Sequence, residues 1–182
     1  MDATIASLIG TAIGALAGLA GGFFTARQQS KLEEQKRLRA KEDEYEKEVR
    51  LAVADLTKKL AAGTQAISWF TSKAKSEPAR FTENDLLAYD NTMLSLYPDV
   101  VSSRIVVAAL NKEIHAKMTP IVDKLYFLDS LVVKAAVIFR NSQQEGIKEL
   151  ANCCDLISQF ESELIERVTE IISLEKMTIR EK

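Results

Sequence analysis

An uncharged stretch at residues 3–24, ATIASLIGTAIGALAGLAGGFF, limits what this chain can fold into more than any other feature. As a helix with a rise of about 1.5 Å per residue it is about 33 Å long, enough to cross a hydrocarbon core of about 30 Å. Glycines recur in it at every fourth position, on one stripe of the helix: Gly10, Gly14, Gly18 and Gly22. Small residues with this spacing let membrane helices approach closely. The stretch predicts a transmembrane helix at residues 1–25 that self-associates through these glycines.

Three other interpretations of this stretch compete with a self-associating span. A secretory signal peptide could be cleaved near Ala15 and Ala17, but its first segment should be basic, whereas this one is Met1-Asp2. Glycine is also common in membrane helices without forming an interface. The many Gly and Ala residues make the stretch only moderately apolar, which also suits packing in a soluble or surface-bound oligomer. A membrane span is the hypothesis that best fits the length and the lack of charge of this stretch.

Basic residues follow this stretch directly: Arg27, Lys31, Lys36, Arg37, Arg39 and Lys41. The other end offers only the α-amino group and Asp2. By the positive-inside rule, we expect a single-pass protein of the inner (cytoplasmic) membrane with its N-terminus outside and its C-terminal domain in the cytoplasm. Lys and Arg near a bilayer attract anionic headgroups by about 1 kcal/mol each. The basic cluster is therefore predicted to lie at the membrane interface, with the lipid bilayer as its partner.

Residues 26–48 change from basic to mostly acidic without a Gly or Pro. Oppositely charged side chains recur four positions apart, as in Glu33 with Arg37 and Asp43 with Lys47, and such pairs stabilise a helix. The pattern predicts a charged juxtamembrane stalk helix at residues 26–48 that continues the membrane helix.

An apolar stripe with alternating spacings of four and three residues begins where the stalk ends. Its members are Val49, Val53, Leu56, Leu60, Gly63, Ile67, Phe70 and Ala74. This period is typical of coiled coils and helical bundles. We expect Trp69 to anchor the bundle beside Phe70, and the helix to end near Pro78, because proline disfavours helix in the residue before it.

The prolines also divide the middle of the chain. Thr82 and Asp85 resemble a capping box that opens a short helix from Glu83 to about Leu96, followed by a turn at Tyr97-Pro98. The next segment, residues 99–118, has Val107, Leu110, Ile114 and Met118 on one helical face. Its β-branched run at residues 105–107 leaves a strand open.

Two further helices are predicted after this segment. Thr119-Pro120 is a favourable start for a helix that is apolar on nearly every face as far as Phe139, so we expect it to be the central helix. A second membrane span is the alternative, although Lys124, Asp129 and Lys134 interrupt it. The last helix is predicted from about Gln144 to Lys176, with an acidic outer face. Its stripe consists of Ile147, Leu150, Cys154, Ile157, Phe160, Leu164, Val168 and Ile171.

The predicted fold class is thus all-α. A single N-terminal transmembrane helix continues into a long stalk helix, and residues 49–182 form a cytosolic helical bundle of about four to five helices.

Several classes of function are disfavoured by composition. A formal net charge of -2 gives no bulk attraction to a nucleic acid duplex. Cys153 and Cys154 are adjacent, which is poor disulfide geometry and suits a reducing compartment. Catalytic and phosphate-binding motifs are missing from the sequence, and one histidine, His115, cannot form a histidine-ligated metal site. We therefore expect no enzymatic activity, no cofactor and no metal, and we interpret His115 as a surface residue.

The plan of one N-terminal span and one helical cytosolic domain resembles that of small bacterial membrane proteins, without a shared motif. That group includes membrane effectors of antiviral defence that are gated by second messengers. The resemblance implies a homo-oligomeric, non-enzymatic effector whose cytosolic domain senses a small ligand or a protein partner and acts on the membrane. The alternative is a membrane-anchored scaffold or adaptor that binds another protein through its bundle.

Overall fold

The computed structural model describes the backbone of residues 2–178 and the side chains of residue 25 and residues 27–171. Four helices account for nearly all of it: α1 Asp2–Ser76, α2 Glu83–Leu110, α3 Lys112–Asn141 and α4 Gln143–Thr178. A short 3-10 helix, Pro78–Arg80, joins α1 to α2. The predicted all-α class is confirmed, and the strand left open at residues 105–107 lies inside α2. Side chains of the predicted span, including its glycine stripe, fall outside the described residues.

The chain divides into two compact units, Met1–Lys47 and Glu48–Lys182. The first unit contains only the N-terminal part of α1. Its basic residues from Arg27 to Lys41 are all solvent-exposed. The second unit is a helical bundle built from the rest of α1 together with α2, α3 and α4 around one apolar core.

The predicted stripe of α1 is buried along its whole length, from Val49 to Ala74. Gly63 lies where three helices meet, since a β-carbon added there would come within 3.0 Å of Leu96 and 3.1 Å of Leu125. A glycine at this position therefore permits the close approach of α1 to α2 and α3. The spacing of the apolar residues alone was sufficient to identify the buried face.

Trp69 does not anchor the core, and the prediction that it does is wrong. Its side chain is 57% exposed, whereas Phe70 is fully buried. The Phe70 ring stacks on Tyr89 at a centroid distance of 4.5 Å and lies 5.1 Å from Phe81. Successive helical residues point about 100° apart, so a residue adjacent to the stripe leaves the buried face.

The predicted boundary between α1 and α2 is confirmed. α1 ends at Ser76, and Pro78 opens the 3-10 helix. Thr82 and Asp85 form the expected capping box, in which the Thr82 backbone N–H donates to Asp85 Oδ2 at 2.9 Å.

The boundaries predicted from Pro98 and Pro120 are wrong, because both prolines lie inside helices. α2 continues through Pro98, whose ring is on the exposed side while Met93 and Val100 are buried on the other. A helix tolerates a proline at a cost of about 3 kcal/mol, which burial of one continuous apolar face offsets. Thr119 does not cap a helix; its hydroxyl donates to the carbonyl oxygen of His115 at 2.8 Å, within α3.

Asn111 marks the true break between α2 and α3. Its side-chain oxygen accepts hydrogen bonds from the backbone N–H groups of Glu113 and Ile114, each at 3.0 Å. An asparagine that satisfies two free donors is a strong N-cap, so α3 begins at Lys112 rather than at Pro120.

α3 contacts each of the other helices, but it is not buried on nearly every face as predicted, because Phe127, Val133 and Val137 are exposed. Leu125 contacts α1 at Gly63, Asp129 accepts a hydrogen bond from α2, and Lys124 pairs with Glu163 of α4. The stripe of α4 is also confirmed, except that Cys153 is buried and Cys154 only half-buried.

The sequence left a second membrane span open for α3. Length and hydropathy suit a span in α2 instead. Among the described residues, Glu83–Leu110 alone is long and apolar enough to cross a membrane, with a mean hydropathy of 1.4 over its most apolar window. Only 22% of that window is buried. α2 also packs on α3 through Tyr89 and Tyr97.

Leu128 tests the arrangement of this core. It is 3% exposed, so Leu128→Asp buries an unpaired charge and should lower the free energy of unfolding by more than about 4 kcal/mol. The same change at Ile165, which is 70% exposed on α4, should cost less than about 0.5 kcal/mol. Urea unfolding of the full-length protein in detergent, followed by Trp69 fluorescence, measures both. Equal losses at the two positions would contradict the arrangement.

Candidate functional site

A groove of about 350 Å³ lies between α1 and α2 in the bundle. Its lining residues are Ala62, Gln65, Ala66 and Trp69 from α1 and Ala88, Tyr89 and Thr92 from α2. Alanines on both walls leave space, because a methyl group fills little of the gap between two helices. The groove is open to solvent, since five of its seven lining residues are exposed, so it offers a ligand a shallow surface rather than an enclosed cavity.

Trp69 forms the rim of this groove. Its indole is over half exposed, so a large apolar surface faces solvent beside the cavity. The Lys73 ammonium lies 5.5 Å from the ring centroid, in the range of a cation–π contact. The same ammonium is 2.6 Å from Asp85 Oδ1. The hydrogen bond from Lys73 lowers the pKa of Asp85, so the carboxylate stays charged at neutral pH and neutralises the cation at the rim.

Tyr89 connects the groove to a partly buried polar cluster. One side of Tyr89 lines the groove, and its hydroxyl donates to Asp129 Oδ1 on α3 at 2.6 Å. The Tyr97 hydroxyl donates to the other carboxylate oxygen of Asp129. Burial, followed by the hydrogen bond to this carboxylate, raises the pKa of Tyr89 and of Tyr97 above the usual value. Both phenols therefore stay protonated and act as donors.

A second polar cluster ties α1 to α2 at Ser103. The Lys59 ammonium donates to Ser103 Oγ at 2.6 Å and to Asp55 Oδ2 at 2.8 Å, and Ser103 donates in turn to Asp55. The hydrogen bond from Lys59 lowers the pKa of Asp55. Because the Ser103 hydroxyl both accepts a hydrogen bond from Lys59 and donates one to Asp55, we interpret the cluster as an interhelical connection rather than as a nucleophile with its base.

Sequence reasoning found part of this site. It named Asp129 as a charged residue that interrupts the most apolar helix, but it did not identify the tyrosines that bind this carboxylate. Lys134, named together with Asp129, is solvent-exposed. The missed signal is the spacing of Tyr89 and Tyr97, two turns apart on α2, which brings both hydroxyl groups to one side of the helix.

The other candidate residues lie away from the groove. Gly10, Gly14, Gly18 and Gly22 are outside the residues with described side chains, and their interface role stays a prediction. His115 is half-buried, with Arg104 Nε 3.4 Å from its Nε2. Burial raises the pKa of the Cys153 thiol, and the Cys154 sulfur lies 3.6 Å from Ser72 Oγ. Over the part of the chain that the structure describes, no three metal-ligating side chains come together.

Comparison with models of protein families, with curated proteins and with solved structures gives no match for this chain.

The Asp129 cluster should contribute measurably to stability. Hydrogen bonds to charged groups are worth about 1.5–3 kcal/mol, so Asp129→Asn should lower the free energy of unfolding by about that amount. Asp99 is exposed on α2, and Asp99→Asn serves as the matched control with almost no expected effect. Denaturant midpoints of the full-length protein in detergent provide the comparison. If the cluster does not stabilise the protein, both variants will have the same denaturant midpoint.

Proposed function

We propose that this protein is a membrane-anchored, self-associating effector without enzymatic activity, whose helical domain senses a ligand and acts on the membrane. The observation that carries the proposal is the groove between α1 and α2 with an exposed tryptophan on its rim. One wall of that groove belongs to α1, and the N-terminal part of the same helix carries the predicted span. A change at the groove therefore acts on the helix that enters the membrane.

The lining of the groove favours a small, uncharged ligand with a flat apolar part. Trp69 offers a ring face, the alanines offer space, and Gln65 and Thr92 offer hydrogen bonds. Lys73, the cation that contacts Trp69, is already paired with Asp85, so the rim provides little to bind a phosphate. A phosphate-rich second messenger, which the resemblance to antiviral effectors suggests, fits this groove less well than a neutral ligand does.

The membrane half of the proposal rests on the sequence. The uncharged stretch, its glycine stripe and the basic residues after it are what a self-associating span in the inner membrane requires. Several spans held together by Gly10, Gly14, Gly18 and Gly22 provide a route by which a signal from the bundle disturbs the bilayer.

A membrane-anchored scaffold is the second candidate. The observation in its favour is that large apolar side chains are exposed on several helices of the bundle, among them Leu94, Phe127 and Ile165. Such side chains can bind a partner protein, and the span then only fixes the location.

Membrane potential distinguishes the two candidates. Expression of the full-length protein in bacterial cells that hold a potential-sensitive dye should depolarise them if it is an effector. Gly14→Ile combined with Gly18→Ile forces the helix backbones apart and should abolish depolarisation while the protein stays in the membrane fraction.

The control for this experiment places the same bulk elsewhere on the helix. Ala12 and Ala20 lie about 140° away from the centre of the glycine stripe by helical periodicity, so Ala12→Ile with Ala20→Ile should leave depolarisation intact. Overexpression favours the self-associated state by mass action even without ligand, so overexpressed wild-type protein that reaches the membrane fraction without lowering the potential would refute the effector and favour the scaffold.

A further inference from the structure

The outer face of α2 carries exposed apolar side chains in a regular pattern. They are Leu87, Leu94, Val101 and Ile105. The spacings of seven, seven and four residues place them on one stripe along the helix. The buried residues of α2, such as Met93, Val100 and Val107, lie on the opposite side. The stripe is therefore not part of the core of the bundle.

The stripe has the heptad spacing of a coiled coil over two heptads, although only one of its a positions is β-branched and the middle one is a proline. Leu87, Leu94 and Val101 occupy the d positions, and the exposed residues Asn91, Pro98 and Ile105 occupy the a positions. Leucine at d and a β-branched residue at a favour two strands, and a single asparagine at a pairs with its counterpart to fix the register. Asn91 lies within an apolar stripe. In a parallel pair, Asn91 of the second copy is its hydrogen-bond partner. The pattern is thus complementary to itself.

The charge of α2 opposes a lipid surface as the occupant. Its acidic residues are Glu83, Asp85, Asp90 and Asp99, against one basic residue, Arg104. Helices that lie on membranes carry Lys and Arg on the polar face, since anionic headgroups attract them. An acidic helix with an apolar stripe fits a protein surface instead.

The two flanks of the stripe differ in a way that suits a second helix. One flank is closed by α3, because Asp90 lies 3.9 Å from Arg140, Tyr97 binds Asp129, and Arg104 lies 3.7 Å from Asp123. The other flank consists of Ala88, Ser95 and Ser102, which are all small and exposed. Small residues beside the stripe let another helix approach without a steric or charge barrier.

We propose that the outer stripe of α2 is an interface between two copies of this chain, paired in parallel and in register. This interface is separate from the predicted glycine stripe and does not depend on the effector function.

Disulfide cross-linking of the full-length protein in native membranes tests the interface. In a background with Cys153→Ala and Cys154→Ser, single cysteines replace Leu87, Leu94 or Val101. A parallel, in-register pair brings each of these positions next to its own copy, so all three variants should form disulfide dimers several-fold faster than Ile165→Cys. Ile165 is the matched control, as exposed as Leu94 but on α4.

A charge placed in the stripe provides a second test. Here the position that is charged differs from the position that is cross-linked. Leu94 is 69% exposed, so Leu94→Asp should leave the unfolding midpoint unchanged while lowering cross-linking of Val101→Cys several-fold. Cross-linking at only one of the three positions would overturn the parallel register, and rates no greater than that of Ile165→Cys would overturn the interface.

Cross-linking and membrane potential separate this proposal from the effector function. If the interface is real, the three cysteine variants should still cross-link when Gly14→Ile and Gly18→Ile are present. Loss of cross-linking in that background would show that the α2 contact only follows association of the spans, and would refute an independent interface. Depolarisation is measured separately and bears on the effector function alone.

Discussion

The bundle depends on the burial of one stripe of α1, from Val49 to Ala74. Each of the other helices contributes to the core that covers it, and Gly63 allows α2 and α3 to come close. Phe70 holds the end of this stripe by stacking on Tyr89 and contacting Phe81. Because Phe70 turns inward, Trp69 must turn outward, so the exposed rim of the groove is a direct consequence of the packing of its neighbour.

Three sides of α2 have three different surroundings. Its inner side packs in the core, the side towards α1 lines the groove through Ala88 and Thr92, and the outer side carries the apolar stripe. Tyr89 links the groove to Asp129 on α3, so an occupant of the groove touches a residue that also holds two helices together. Ala88 lines the groove and also flanks the apolar stripe, so the groove and the stripe adjoin each other at this residue.

Local and periodic features of the fold were predictable from the sequence, whereas contacts between distant residues were not. The stripe of α1, its end at Ser76 and the capping box of Thr82 depend on spacing or on near neighbours, and all are confirmed. The boundaries predicted from Pro98 and Pro120 were wrong because burial along a whole helix face outweighs the loss of one backbone hydrogen bond. The binding of Asp129 by Tyr89 and Tyr97 joins positions 40 and 32 residues apart, which no helical period encodes.

The central claim is that α1 transmits a change in the bundle to the predicted span, and the stiffness of the connecting helix tests it most directly. Two inserts of about 18 residues after Lys41 provide the comparison: a helical one, five full turns long, and a Gly/Ser-rich one of the same length. At matched amounts in the membrane fraction, the helical insert should preserve depolarisation, because it transmits orientation and keeps the helical phase. The flexible insert should abolish depolarisation, because a random coil transmits neither. Depolarisation that survives the flexible insert would contradict the claim.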